Sequence, residues 1–545
     1  MATVRLTMAQ ALTRWMTAQS IEQLDGIIET AFAGVWGIFG HGNVAGLGEA
    51  LYGVRDELPT FRGHNEQSMA HIAIAYAKQK QRRRMMAVTT SIGPGATNLA
   101  TAAALAHVNR LPVLLLPGDV FATRAPDPVL QQVESFADGT LSANDCLRPI
   151  SRYFDRITRP EQLLQALPKA MSVLTDPADC GPVTLGLCQD VQAEAWDYPT
   201  SFLAPRIWQL RRIAPDDAEL ARAVACLKAA KRPLIIAGGG VRYSGAASAL
   251  ADFAAGAGIP VAATQAGKST LVEAHEMYVG SLGVTGASAA NSLAASADVV
   301  LAVGSRLQDF TTGSNSLIGG QVIALNIQPH DLVKHRAMPL MADALCGIEA
   351  LASGMAGYAT KASYRGEISA KWGDWMKDVG AVCSAPVDSN ALPSDSQVIG
   401  AVNRSCPPET IVVGAAGSMP GELHKLWQVG AVDGYHMEYG FSCMGYEVAA
   451  GIGVDMAAPG RPNVVFAGDG SYLMLNAELA TAVMMGTRMT LIITDNRGFG
   501  CINRLQAGTG GAAFNNLFVD SRHKVLPEID FAAHAASMGA RAHKA

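Results

Sequence analysis

The stretch Val464 to Gly500, VVFAGDGSYLMLNAELATAVMMGTRMTLIITDNRGFG, constrains the fold more than any other part of the chain. Asn463 to Ala467 is a short apolar run stopped by Gly468-Asp469-Gly470. Ala477 to Met485 has helical spacing, and Met489 to Thr494 is a β-branched run stopped by Asp495-Asn496. Strand, helix, strand at these lengths is a βαβ unit, and its right-handed crossover puts the carboxyl ends of both strands on one edge of a parallel sheet. Asp469 and Asn496 therefore face each other across that edge. A hard cation such as Mg²⁺ takes few protein oxygens and fills its shell from phosphate and water, and the glycines let a diphosphate approach the backbone. The plain alternative is a surface Asp-Gly turn, and an Asn at this distance after a second strand argues against it.

Around this unit the chain alternates strand and helix patterns. Val35 to Phe39, Met85 to Thr90 and Leu111 to Leu116 read as strands; Thr7 to Ser20, a segment from about Ala45, Glu66 to Lys80 and Ala96 to Val108 read as helices. Such alternation predicts an α/β chain of doubly wound parallel sheets. With 545 residues the chain is too long for one core. The pattern divides it into a domain over 1–190, a Pro- and Trp-containing connector over 191–218, a central domain over 219–353, a second connector over 354–394 and a last domain over 395–545. Formal charge is −5, which gives no electrostatic footprint for nucleic acid. Nine cysteines without a C-x-x-C pair argue for reduced thiols and against zinc. No apolar run approaches the roughly eighteen residues of a membrane span, the N-terminus lacks the apolar core of a signal peptide, and a cytoplasmic location is expected.

GDG followed at this distance by Asn resembles the metal motif of thiamine-diphosphate-dependent enzymes. That likeness implies that the Asp469 and Asn496 side chains and the Gly498 carbonyl hold Mg²⁺, with Gly468, Gly470 and Ser471 lining the diphosphate. Further residues match the same family. Glu66, opening a helix behind a short strand, corresponds to the carboxyl that shares a proton with the aminopyrimidine ring nitrogen; on its own it is an ordinary first-turn acid. Burial of such a carboxyl would raise its pKa and favour the shared proton. Ser418 follows a strand end and is expected near the diphosphate. Met444 matches the bulky side chain that supports the bend between the cofactor rings, and the backbone at Ser442 the acceptor for its amine.

The order of pyrimidine-type, Rossmann-like central and diphosphate-type domains resembles the acetolactate synthase and pyruvate oxidase group over almost the whole chain. Some members hold FAD centrally, but Gly238-Gly239-Gly240 is not a full dinucleotide fingerprint. Within the group, WGIFGHGNVAGLGEAL, FRGHNEQSMAHIAIAYAK, SIGPGATNL, LHKLW, GYHMEYGFSCMGYE and DNRGFGCINRLQ are similar to the trihydroxycyclohexane-1,2-dione hydrolase branch of myo-inositol catabolism. The resemblance implies hydrolytic C–C cleavage of a polyhydroxylated cyclic dione to 5-deoxy-glucuronate. It also implies a homodimer or homotetramer with Glu66 of one subunit facing Asp469 and Asn496 of another. The water-activating base is left among His41, His64, His424 and His436. Two alternatives stand beside this: a 2-keto acid lyase or ligase of the acetolactate synthase type, and a non-catalytic homologue, since the last domain is expected to lack about one βαβ unit at its C-terminal side.

Overall fold

Three mostly parallel sheets, each built from apolar runs ending in glycine or a polar turn, carry the chain in a computed structural model that describes residues 2–387 and 391–545. The first sheet contains β4 (Phe32–Gly37), β5 (Thr60–Phe61), β6 (Met85–Thr90), β7 (Val113–Asp119), β8 (Tyr153–Ile157) and β9 (Pro182–Cys188), in the order β5-β4-β6-β7-β9-β8. Every residue of β6, β7 and β9 is buried, as expected for strands covered by helices on both faces. Ahead of it lie β1 (Thr3–Thr7), β2 (Gln19–Glu22) and β3 (Ile28–Thr30). Thr7 caps the helix Met8–Thr17 through a reciprocal bond with Gln10.

The first connector is more ordered than its composition implies. β10 (Ala195–Pro199) pairs antiparallel with β1, and β11 (Arg206–Trp208) pairs parallel with β2, so the segment is woven onto the N-terminus. Pairing between partners this far apart in sequence leaves no local signal.

The central sheet, β12 (Pro233–Ala237), β13 (Val261–Ala263), β14 (Tyr278–Ser281), β15 (Val299–Val303), β16 (Gln321–Asn326) and β17 (Met338–Met341), runs β14-β13-β12-β15-β16-β17. This is the dinucleotide-fold order 3-2-1-4-5-6. At its switch point the loops after β12 and β15 touch: a Cβ on Gly240 would meet Gly304 Cα at 2.6 Å, so the glycines there serve backbone packing.

The second connector holds the helix Ala362–Cys383, 22 residues long. Tyr364, Ile368, Trp372, Trp375, Val379 and Cys383 form a stripe at spacings of four and three that packs against both neighbouring domains. Gly366, Gly373 and Gly380 lie in open space and dilute the apolar pattern. Residues 388–390 of this connector lie outside the described part of the chain.

The last sheet has β18 (Ile411–Gly414), β19 (Tyr435–Met437), β20 (Asn463–Gly468) and β21 (Thr490–Thr494), all parallel, in the order β19-β18-β20-β21. Its four strands compare with six in each of the other two main sheets. The helix Tyr446–Ala457, which connects β19 to β20, packs on the helix Glu66–Gln79 of the first domain. Residues of both domains, among them Trp36, Ile72, Val88, Val413, Tyr446 and Val465, therefore share one apolar cluster.

Candidate active site

The chain turns one way from β18 to β19 and crosses back over β18 to reach β20, so the loops after β18 and β20 diverge. A crevice at the carboxyl ends of the strands follows, the place where open α/β sheets bind ligands. Gly414 to Ser418 lies on one side and Gly468 to Ser471 on the other, with Asn496 to Gly498 after the adjacent β21. Gly417 has φ +88° and, like Gly468, open space where a Cβ would stand. Side chains there would fill the crevice.

Asp469 is fully buried at the crevice floor. Its Oδ2 accepts from Gly498 N at 2.8 Å and its Oδ1 from Asn496 N at 3.4 Å. Burial pushes its carboxyl above the ordinary range, and among the described residues it has no Lys or Arg partner. A sunken carboxylate with no side-chain cation fits a metal-ion seat, and the adjoining open glycines fit a diphosphate. The three expected ligand residues thus come together through the main-chain amides of Asn496 and Gly498. The side-chain oxygen of Asn496 accepts from Gly500 N, the first amide of the helix Gly500–Gly508, at 3.1 Å. Gly498 has φ +146°, and a Cβ on it would collide with Asn516 O, so only glycine keeps its carbonyl in this turn.

Ser471 is buried with its hydroxyl engaged inside the protein: it donates to Glu447 Oε2 at 2.6 Å and accepts from Gly445 N at 2.8 Å. Ser418 is partly exposed at the start of the helix Met419–Leu426 without a side-chain capping bond. Ser442, exposed and in the left-handed region at φ +56°, and the half-buried Met444 lie on the loop after β19. Glu438 folds that loop. Its Oε1 accepts from Phe441 N and from Asn109 Nδ2 of the first domain, both at 2.9 Å, and its Oε2 from Cys443 N at 2.8 Å.

Glu66 opens its helix behind Asn65, whose side chain caps the helix by accepting from Ser68 N. Its Oε2 accepts from Asn98 Nδ2 at 2.9 Å, and its Oε1 approaches the Gly95 loop after β6. No hydrogen bond among the described residues links it to Asp469 or Asn496. One residue on, Gln67 Nε2 lies 3.9 Å from Cys443 Sγ, so the start of this helix faces the Met444 loop of the same chain.

Of the four histidines, two are removed from consideration by the structure. His424 and His436 are buried in the interior. Burial, reinforced by Lys268, pushes His424 down to about 3. Burial, with Lys78 and Arg242 nearby, depresses His436, whose ring nitrogens meet Gln79 Oε1 and Tyr446 OH. Both are structural. His41, on the loop after β4, and His64 are both exposed residues, the His64 side chain at 30%.

Among the buried carboxylates that escape the sequence pattern, Glu438, Glu447 and Glu478 hold loops of the last domain or the start of the Glu66 helix. Glu447 accepts from Gly445 N, Ser471 Oγ and, at 3.4 Å, Ala416 N, so it ties together the loops after β19, β20 and β18. Burial pushes it up to about 7. Glu478, first residue of the helix Glu478–Met485, accepts from His64 N at 2.9 Å and Asn65 N at 3.0 Å. The only local hint of the last two is an acid placed in the first turn of an otherwise small or apolar helix.

Comparison with known proteins gives three consecutive family matches: the thiamine pyrophosphate enzyme N-terminal TPP binding domain over residues 7–138, the central domain over 220–351 and the C-terminal TPP binding domain over 415–545. The 3D-(3,5/4)-trihydroxycyclohexane-1,2-dione hydrolase of Geobacillus thermodenitrificans is 43% identical over 571 residues, which cover 100% of this chain and 89% of the relative. Proteins of the same name from Bacillus cereus and Bacillus anthracis match at 43% with the same coverage.

Proposed function

Because this chain belongs to the thiamine pyrophosphate enzyme family, we propose that it hydrolyses the bond between the two carbonyl carbons of a cyclic 1,2-dione in myo-inositol breakdown. The observation that carries the reading is the 43% identity, over the full chain, to relatives named for that reaction. 3D-(3,5/4)-trihydroxycyclohexane-1,2-dione is the substrate and 5-deoxy-glucuronate the product.

When bound, thiamine diphosphate supplies an electron sink for the pair left on carbon as the C–C bond breaks. The chain's own residues do the rest. Asp469, with the Asn496 side chain and the Gly498 carbonyl, would hold Mg²⁺ against the diphosphate, while Gly417, Ser418, Gly468 and Gly470 line the crevice. Glu438 and Glu447 fix the loop bearing Ser442 and Met444, which would hold the cofactor rings. Glu66, with Oε2 held by Asn98, would offer Oε1 to share a proton with the pyrimidine ring nitrogen. Ser471 acts through Glu447 and holds loops together. The active form is a homo-oligomer in the cytoplasm. The described residues include no helix long and apolar enough to cross a membrane.

Product analysis tests the reaction. In ¹⁸O-labelled water, with thiamine diphosphate and Mg²⁺, the chain should open the dione and place one labelled oxygen in the new carboxylate. Failure to consume the dione, or release of carbon dioxide and acetolactate from pyruvate instead, overturns it.

A further inference from the structure

His64 is held unlike the other histidines. Its Nδ1 lies 2.8 Å from Thr481 Oγ1, and Thr481 donates its hydroxyl hydrogen to Glu478 Oε2 at 2.5 Å. Glu478 is buried, and its other oxygen accepts the amides of His64 and Asn65. These partners fix the proton count. A hydroxyl has one hydrogen, and that of Thr481 is committed to Glu478, so toward His64 its oxygen accepts. Neutral His64 then carries its proton on Nδ1, and Nε2 keeps a free lone pair on a side chain that is 30% exposed. His41 is exposed with no ring partner among the described residues, and nothing fixes its tautomer.

The placement fits a role in the reaction. His64 stands two residues before Glu66, in the turn that Asn65 caps, and Gln67 on the same segment meets Cys443 beside Met444. Glu478 opens the helix that leads back to β21, so it too sits on the carboxyl side of the sheet, where the crevice is. Glu478 of the facing helix has its Oε2 3.9 Å from Nδ1, and Arg62 and Glu66 stand two positions to either side of His64 on its own segment.

We propose that His64, backed by Thr481 and Glu478, is the base that takes a proton from the attacking water, a role that rests on the hydrolytic reading above. As the water oxygen bonds to one carbonyl carbon, one water proton passes to Nε2, and the imidazolium is stabilised through Nδ1–H, Thr481 and the Glu478 carboxylate. The C–C bond then breaks with its electron pair on the other carbon, and the proton held at Nε2 returns to that carbon. Net, water supplies hydroxyl to one carbon and hydrogen to the other. No oxidant or reductant is consumed.

The test compares the 545-residue wild type with His64→Ala and Thr481→Val. His64→Ala should bind thiamine diphosphate and Mg²⁺ by calorimetric titration within about threefold of wild type, yet lose roughly 10²–10³-fold in turnover of the dione. Added imidazole should restore about tenfold or more of that loss, and Thr481→Val should lose roughly tenfold because the tautomer is no longer fixed. Turnover of His64→Ala within about twofold of wild type overturns the role, as does loss of cofactor binding in step with activity and no rescue by imidazole. A wild type that binds the cofactor but leaves the dione intact overturns the reaction itself, and this role with it; an active wild type with an equally active His64→Ala overturns this role alone.

Discussion

Asp469 and Glu66 make opposite demands on their surroundings, and their variants should separate. Asp469 is sunk among backbone amides with no cation against it, so Asp469→Ala should abolish Mg²⁺-dependent binding of thiamine diphosphate, seen as a flat calorimetric titration. Glu66 is half-exposed and already has one oxygen on Asn98. Glu66→Gln should therefore keep binding within about threefold and lose on the order of 10²-fold or more in turnover. The reverse pattern would refute both assignments. At this scale spacing put Asp469, Asn496 and Gly498 on one sheet edge, where main-chain hydrogen bonds to Asp469 join them. The sequence was silent on Glu447 and Glu478, because an acid in the first turn of a helix reads the same whether it meets solvent or three buried donors. Ser471 shows the converse: its motif position pointed to the diphosphate, and its hydroxyl lies on Glu447 and Gly445 instead.

Two helices from different domains decide where Glu66 stands. A Cβ on Gly453 would collide with Ile72 O and stand 2.9 Å from Ala75 Cβ, so the Tyr446 helix can approach the Glu66 helix only because position 453 lacks a side chain. Gly453→Ala should cost about 1–3 kcal/mol of stability through overpacking. It should also lower turnover, since any shift of the Glu66 helix moves the carboxyl. Denaturation midpoints and dione turnover measured together check this, and an unchanged midpoint would show that the helices slide apart without cost. Part of the helices and strands was legible from periodicity, with β6 matching at both ends and the Glu66 helix shorter by one residue, whereas β8, β9, β13, β14, β16, β17 and β19 were not read. The 22-residue helix Ala362–Cys383 was hidden within a connector, since three glycines on its open face lower the contrast that periodicity needs.

At the scale of the whole molecule, the buried histidines lie at domain seams. His71 of the first domain packs its ring against Tyr446 of the last, His436 of the last meets Gln79 of the first, and His424 of the last meets Thr285 of the central domain. Burial pushes His71 and His424 down to about 3 and depresses His436 as well. Below about pH 6.5 the unfolded chain takes up protons that the folded chain refuses, so stability should fall as pH drops, by up to roughly 1.4 kcal/mol per unit for each group. Glu447 works the other way from about pH 7 down to 4.5, because its raised folded pKa lets it take a proton first. Asp469, raised by burial too, acts with Glu447, and against these the three histidines leave a net loss. The melting midpoint should be lower at pH 5.5 than at 7.5, with a steeper drop in Glu447→Gln; a flat profile would contradict the seam argument. Strand order within the sheets and the pairing of β10 and β11 with the N-terminus were not legible, because both depend on contacts between segments far apart in sequence.

The apolar cluster shared by the first and last domains has a calorimetric consequence. Neither domain can expose that surface without uncovering the other's, so the pair should melt as a single cooperative unit, while the central domain, with its own two clusters, is free to melt separately. A scan should then resolve fewer heat-absorption peaks than there are domains, and the polypeptide's two ends, though far apart in sequence, should be lost together.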